Sequence, residues 1–330
     1  MTIKKLLQLI IGISIAAFFI WLIFRKISLE EIKQAFVGAN LSWVMAALAA
    51  FAVGYVCRIE RWRLMLQRDN PVLSWSNCAG PLLASIAANN ILPFRAGDVL
   101  RALAFNRRLG ISAGIAITTL FVERLLDLLM LLTLLGVALI FFGLDSSHFI
   151  GFGSGALILS AGIILFVLLF PTLFSPLALS IGELIVRIAP KIGHRLLDEI
   201  TKSLATLKHL AQGHTMIKLV LWTLFAWTAE GCVFWFSALA LPSILNPQAS
   251  WLALPVGTLA TLIPSTPGYV GTFDFFTVRA MTELGNASAA ATAYALLVHA
   301  LLWLPPTLVG GVYLLLHPIK QHDQLKAFKL

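Results

Sequence analysis

The sequence is poor in charged residues. Only 12% of its 330 residues are Asp, Glu, Lys or Arg, whereas soluble domains carry about a quarter. So small a charged fraction cannot cover a surface in water, which excludes a soluble cytoplasmic enzyme. Cysteine is also scarce. Cys57, Cys78 and Cys232 lie within apolar stretches and form no CxxC pair, so a disulfide scaffold is excluded and no metal site is predicted.

Motifs of metal-dependent hydrolysis and nucleotide binding are absent as well. The sequence contains no H-E-x-x-H or Walker motif. The glycine-rich run at 151–155 follows no predicted strand, so it is not interpreted as a phosphate loop. We therefore predict that the chain is not an enzyme and uses no cofactor.

Long apolar runs dominate the sequence instead. The apolar fraction is 59% and the mean hydropathy is +0.90. Runs of 18 or more apolar residues are typical of membrane-spanning helices, whereas an outer-membrane barrel would show short alternating segments. The sequence predicts an all-α integral membrane protein that forms one domain over residues 1–330. About six full spans are expected, at Leu6–Phe24, Leu41–Cys57, Ile111–Gly143, Phe152–Phe170, Thr215–Leu241 and Ala287–Leu316.

Two further apolar segments are interrupted by proline and glycine. Residues 77–94 end in ILPFRAGD, and residues 251–284 contain LIPSTPGYVGTFD. Irregular backbone at membrane depth is tolerated where it is buried in protein or lines a cavity. We predict two re-entrant elements of opposite orientation in an inverted repeat, with pseudo-repeats at 41–143 and 215–316. The residues expected to break the helices are Pro93, Gly97, Pro264, Pro267, Gly268 and Gly271.

Basic residues lie mainly at the ends of apolar runs, which indicates orientation in a membrane rather than nucleic-acid binding. The formal net charge is +9, and the loops 144–151 and 242–250 contain no Lys or Arg. By the positive-inside rule, both termini are predicted to be cytoplasmic. Residues 27–40 are predicted to form an interfacial helix, and 171–214 an amphipathic segment along the cytoplasmic face. The first span lacks a small-residue cleavage site, so we expect it to be retained.

Several polar residues fall inside the apolar segments, where a charge costs about 2.5–3.5 kcal/mol. Asp98 and Arg101 are three residues apart, so Asp98 either caps the restarted helix and pairs with Arg101, or Arg95 and Arg101 hold a lipid phosphate. Glu230 is expected to pair with Arg124 or His299. The residues predicted to line a substrate path are Asn90, Arg95, Asp98, Arg101, Glu123, Arg124, Asp127, Glu230, Asp274 and His299.

Bland interpretations of these residues are also open. Glu123 and Arg124 would only lock helices together if they lie near the interface. His299 either carries a proton or makes a helix–helix hydrogen bond. The basic cluster of Arg58, Arg61 and Arg63 around Trp62 is predicted to anchor lipid headgroups at the cytoplasmic border.

Four ordered motifs resemble the lysylphosphatidylglycerol synthase transmembrane family. They are R-x-x-R-W-R-L at 58–64, N-x-L-P-x-R-A-G-D-V-x-R at 90–101, E-R-x-x-D at 123–127 and P-S-x-P-G-x-x-G-x-x-D at 264–274. The resemblance covers nearly the whole chain. It implies a flippase-like membrane domain that moves an anionic or aminoacylated phospholipid, or an isoprenoid lipid, between leaflets. We expect no lipid-synthesis domain within the 330 residues.

Two other functions stay open at this point. The chain would be an integral-membrane enzyme if it acted on a lipid-linked substrate, or an accessory subunit of a lipid-modification pathway. The expected partners are membrane lipids, a lipid-modifying enzyme and, as a homo-oligomer, further copies of the chain; nucleic acid is not expected. The expected location is the bacterial cytoplasmic (inner) membrane.

Overall fold

The structure is a computed structural model that describes Trp21 and residues 28–92, 95–144, 154–188, 190–263 and 267–317. Within these residues the regular structure is entirely helical, which confirms the all-α prediction. The first predicted span, apart from Trp21, lies outside the described residues, as do Pro93 and Pro264.

The α-helices are numbered here in chain order. They are α1 (Leu29–Ala35), α2 (Leu41–Leu66), α3 (Trp75–Ile91), α4 (Ala96–Leu103), α5 (Asn106–Leu109), α6 (Ala113–Phe142), α7 (Ser154–Leu169), α8 (Ser175–Ile188), α9 (Pro190–Leu210), α10 (Gly213–Ala240), α11 (Ser250–Ala260), α12 (Thr272–Glu283) and α13 (Ser288–Leu316). Short 3₁₀ turns at Pro171–Phe174, Pro247–Ala249 and Pro267–Tyr269 precede α8, α11 and α12.

Five helical segments of the described chain are long and apolar enough to cross a membrane. They are Leu41–Leu66, Ala113–Phe142, Pro171–Ile188, Gly213–Ala240 and Ser288–Leu316. Four of them coincide with predicted spans. Within the predicted span at 152–170, the described residues form the 16-residue helix α7, and Ser154 is the first described residue of this segment. The fifth segment, Pro171–Ile188, lies within the predicted amphipathic segment 171–214.

The second predicted span is longer than its hydropathy indicated. Helix α2 continues past Cys57 to Leu66 and so includes the basic cluster around Trp62. Asn40 caps its first turn by accepting the backbone N–H of Ser42 at 2.9 Å. Arg61 and Trp62 are both buried, so this part of α2 is packed against other helices and does not lie in headgroups.

Both predicted interruptions occur as helix breaks. Helix α3 ends at Ile91 and α4 begins at Ala96; helix α11 ends at Ala260 and α12 begins at Thr272. At the first break, Gly97 lets α4 fold back onto α3, because a Cβ there would collide with the carbonyl of Ser85. At the second break, Gly268 and Gly271 have φ values of 71° and 85°, which favour glycine.

Small residues bring the long helices together, as they commonly do in membrane bundles. Helix α2 packs along α10, with Gly54 against the carbonyl of Ala226. Helix α3 packs along α13, with Gly310 against the backbone of Leu83. Helix α6 packs against α11, and α8 and α9 pack against each other as a hairpin beside α6. These contacts leave a space between the two broken elements.

Candidate functional site

A cavity of about 420 Å³ lies where both broken elements meet α2, α6, α10 and α13. Its wall combines aromatic and aliphatic side chains with a dense set of polar ones. Nine of the ten predicted path residues line it: Asn90, Arg95, Asp98, Arg101, Glu123, Arg124, Asp127, Glu230 and His299. The tenth, Asp274, lies behind His299 and hydrogen-bonds to it. Of the predicted helix-breaking residues, Gly268 lines the cavity.

Arg101 forms a buried ion pair with Glu123 of α6. Its Nη2 and Nη1 donate to the two carboxylate oxygens of Glu123 at 2.9 and 3.1 Å, and its guanidinium lies 5.0 Å from the ring centre of Trp62. The pairing of Arg101 with Asp98, one of the two alternatives left open by the sequence, was therefore wrong. Because both forks of the guanidinium are occupied and Arg101 is buried, it holds α4 against α6 rather than offering donors to a ligand.

Asp98 has a different partner, Arg124. The Nη2 of Arg124 donates to both oxygens of Asp98, at 3.1 and 3.2 Å, and lies 3.6 Å from Glu123. The same guanidinium reaches Asp127 at 3.8 Å. Arg124 thus sits among three carboxylates, yet its side chain is 40% exposed and faces the cavity.

Two arginines of α2 complete the ionic network. Arg61, whose side chain is 1% exposed, donates to Asp127 at 2.7 Å and to Thr223 at 2.9 Å. Arg58 pairs with Glu230 at 2.7 Å, which corrects the expectation that Glu230 pairs with Arg124 or His299. The predicted headgroup-anchoring role of Arg58 and Arg61 was wrong, because both side chains form ion pairs with carboxylates of neighbouring helices.

The spacing of Arg58 and Arg61 in the sequence could have indicated that both face the interior of the bundle. Arg58 and Arg61 are three apart and would share a face if the helix continued beyond Cys57. Arg58 also lies over Trp227, at 5.4 Å from the ring centre. Charges in apolar surroundings need such partners, since removing one member of a buried pair costs about 3–5 kcal/mol.

Arg95 is bonded differently from the other cavity arginines. Its Nε donates to the hydroxyl of Tyr269 at 3.0 Å, and its guanidinium lies 5.8 Å from the Tyr269 ring centre. Among the described residues, no carboxylate lies within ion-pair distance of Arg95. Arg95 therefore presents a positive charge to the cavity that this part of the chain does not neutralise.

Arg95 and Tyr269 also share an unusual backbone. Their φ values are 51° and 62°, and they are the two non-glycine residues with positive φ in the described chain. Each lies at a helix break, and a left-handed non-glycine residue costs on the order of 1–3 kcal/mol. The two strained residues thus contact each other across the cavity, one from each broken element.

Asp274 and His299 link α12 to α13. His299 Nδ1 lies 2.8 Å from Asp274 Oδ1, and His299 Nε2 lies 2.9 Å from the carbonyl oxygen of Gly268. Asp274 Oδ2 accepts the backbone N–H of Gly271 at 2.8 Å, so the carboxylate also fixes the turn before α12. Asp274 therefore positions His299 and the second break rather than lining the cavity itself.

Two asparagines hold the first broken element. Asn89 exchanges hydrogen bonds with Asp98: its amide donates to Oδ1 at 2.9 Å and its oxygen accepts the Asp98 N–H at 3.1 Å. Asn90 donates to Thr307 of α13 at 2.8 Å. Within the described residues, no three His, Cys, Asp or Glu side chains are grouped so that they could hold a metal ion.

Comparison with known proteins identifies the family of this chain. The family model described as "Lysylphosphatidylglycerol synthase TM region" matches residues 9–310. The chain belongs to this family. A protein of Haloferax volcanii named "Glycosyltransferase AglD" is 26% identical to it, over 94% of this chain and 54% of that protein. A UPF0104 membrane protein of Pyrococcus horikoshii is 22% identical, over 94% of this chain and 97% of its own.

The chain therefore spans about half the length of the Haloferax relative and nearly all of the Pyrococcus relative. The family resemblance that the four sequence motifs indicated is confirmed. The match covers both broken elements and all ten predicted path residues, since all lie between 9 and 310.

Proposed function

We propose that the chain is a lipid flippase that carries an anionic or aminoacylated phospholipid, or an isoprenoid lipid, between membrane leaflets. The observation that carries the proposal is the positive charge that Arg95 presents to a cavity between apolar helices. Four arginines pair with the four carboxylates of the ionic network, and Arg95 adds a fifth positive charge beside them. A lipid phosphate would supply the missing negative charge, bonded by Arg95 and by the cavity-facing edge of Arg124.

The arrangement of helices supports an inverted repeat. The order of α2, α3, α4 and α6 in the first half has a counterpart in α10, α11, α12 and α13 of the second. Exchanging the halves converts the packing of α3 on α13 into that of α11 on α6, and both contacts occur. Likewise, α2 and α10 pack on each other. Inverted repeats with broken helices at their interface are typical of transporters that alternate access around a central site.

We further propose that the protein lies in the cytoplasmic membrane with both termini inside. The distribution of Lys and Arg supports this orientation. A separate lipid-modifying enzyme would then supply the cargo, and the role of the chain itself would not be enzymatic. Homo-oligomer formation stays a prediction.

A second candidate function is glycosyl transfer to a lipid-linked acceptor. The name of the Haloferax relative favours it, although this chain matches only 54% of that protein. A catalytic base requires a carboxylate or another group with a free acceptor near the substrate. Each of the four carboxylates on the cavity wall has an arginine partner, which favours transport over this alternative.

The test is a leaflet-exchange assay with the purified full chain in liposomes. Separate preparations would contain a headgroup-labelled anionic phospholipid, an aminoacylated phospholipid, an isoprenyl phosphate or a zwitterionic phospholipid, with a membrane-impermeant quencher reporting the outer leaflet. The proposal predicts selective transfer of at least one phosphate-bearing anionic or aminoacylated lipid. Transfer of none, by folded protein that glycosylates an isoprenyl phosphate from an activated sugar, would establish the alternative instead.

A further inference from the structure

The geometry points to a proton-binding site at Asp274 and His299 that controls the position of Arg95. This inference deepens the proposed function, on which it rests, by naming how the cavity is regulated. It is carried by the contacts of the His299 ring and by the chain of bonds that leads from the ring to Arg95.

Both ring nitrogens of His299 face oxygen atoms. The carbonyl of Gly268 can only accept a hydrogen bond, so His299 Nε2 must carry a proton. Asp274 Oδ2 accepts the Gly271 N–H, and Asp274 lies in the first turn of α12, where a negative charge is favoured. The two contacts of the ring need two protons, one on Nε2 and one between Nδ1 and Asp274 Oδ1, and we assign the second proton to the ring. With this assignment the described conformation holds an imidazolium.

Loss of one proton breaks one of these two contacts. A neutral ring keeps a single N–H, and the Asp274 carboxylate is a stronger acceptor than the Gly268 carbonyl, so Nδ1 keeps the proton. The Nε2 lone pair then faces the Gly268 oxygen and repels it. Deprotonation consequently releases the turn that contains Gly268. This turn is already strained, because its next residue, Tyr269, has a left-handed backbone conformation.

The released turn carries the partner of Arg95. Tyr269 follows Gly268 directly, and its hydroxyl accepts the Arg95 Nε hydrogen bond at 3.0 Å. Moving the turn therefore moves or frees the guanidinium that the proposed function assigns to the lipid phosphate. In the described state Tyr269 fixes the Nε edge of Arg95 at the cavity wall. Proton loss therefore frees the guanidinium to move with a bound phosphate, and transport accelerates as the pH rises.

The surroundings leave His299 as the group that can act in this way. Helix α3 contributes neutral Asn89 and Asn90 to the cavity, and the charged residues of α1 are exposed and do not line it. On α12, Arg279 and Glu283 pair with each other near the surface. Among the described residues, the ionisable groups that share the cavity with His299 are Tyr55, Arg58, Arg95, Asp98, Arg101, Glu123, Arg124, Asp127, Glu230 and Tyr269. Each carboxylate among them is paired with arginine, which does not titrate in this range.

The first test does not depend on transport. Nitrogen NMR of histidine-labelled protein in nanodiscs distinguishes an imidazolium from either neutral tautomer, and the His299 signals are assigned by their loss in His299→Gln. Between about pH 5 and about pH 8, we expect the imidazolium to convert to the neutral form with the proton on Nδ1. A ring that stays neutral, or stays charged, over the whole range would overturn the inference.

The second test measures leaflet exchange over the same pH range. The wild-type rate should rise with pH, by up to about tenfold per unit for a single proton. His299→Gln should remove this dependence, and Tyr269→Phe should remove it while the NMR titration persists. His214→Gln, an exposed histidine at the start of α10, is the matched control and should keep the wild-type profile.

The two proposals fail separately. If the pH dependence of transport persists in His299→Gln, the proposed proton control of Arg95 is overturned, while the proposed flippase function is retained. If folded protein transfers no lipid at any pH, the proposed function fails, and the NMR titration alone decides whether the proton site exists.

Discussion

Separating Arg61 from Asp127 is the sharpest test of the ionic network that shapes the cavity. The side chain of Arg61 is 1% exposed and donates to both oxygens of Asp127, at 2.7 and 3.3 Å. Trp227 Nε1 donates to the same carboxylate at 3.1 Å. In Asp127→Asn the Arg61 charge loses its partner inside the bundle, so we expect the unfolding free energy to fall by about 3–5 kcal/mol.

Arg61→Met leaves the Asp127 carboxylate without its Arg61 partner, but Arg124 lies 3.8 Å from Asp127 and compensates in part. Its cost should therefore be smaller than that of Asp127→Asn. The double variant Arg61→Met with Asp127→Leu buries no unpaired charge at this site. We expect it to be more stable than Asp127→Asn alone, because replacing a whole buried pair by apolar groups is often neutral.

The assay is unfolding by a denaturing detergent, followed through the reactivity of the buried thiols Cys57 and Cys78. The exposed pair Lys202 and Asp198 is the matched control, and breaking it should leave the unfolding free energy nearly unchanged. If the double variant loses as much stability as the two single variants together, the two charges are not coupled and the reasoning is refuted.

Two further substitutions test the packing and the second ion pair. Gly97→Ala should destabilise the fold by about 1–3 kcal/mol, because its methyl group would meet the Ser85 carbonyl. Gly136→Ala has open space and should be neutral or stabilising. Thermal unfolding in micelles compares the two variants, and equal effects would contradict the close contact at Gly97. Glu230→Gln should lower the unfolding free energy by about 3–5 kcal/mol, because Arg58 loses its carboxylate partner, and adding Arg58→Gln should restore part of the loss. If nothing is restored, the loss of this ion pair is not the cause of the destabilisation.

Hydropathy and helix-breaking residues predicted much of the fold. The long apolar runs near α2, α6, α10 and α13 and both interruptions could be placed, because an apolar helix and a proline–glycine break are local properties of the chain. The end of α2 could not. Arg58 and Arg61 look like a cytoplasmic border unless their partners Glu230 and Asp127 are known, and those lie far away in sequence.

The residues of the candidate site could be predicted from the sequence, but their ion-pair partners could not. Polar residues inside apolar segments must be satisfied by one another, which brought nine of ten candidates to one cavity wall. The sequence spacing suggested that Asp98 pairs with Arg101 along one helix. The fold-back of α4 onto α3 turns these side chains toward α6 instead, where Arg124 and Glu123 take them. Such long-range pairing depends on packing that no local pattern encodes.

The initial rate of transfer of a labelled anionic lipid by Arg95→Gln tests the central claim most directly. Arg279→Gln, an exposed arginine on α12, is the matched control for loss of one positive charge. We predict that Arg95→Gln loses transfer with unchanged thermal stability, that Arg95→Lys keeps part of it, and that Arg279→Gln transfers at the wild-type rate. Transfer by Arg95→Gln at the wild-type rate would contradict the assignment of Arg95 to the lipid phosphate, and with it the observation on which the proposed function rests.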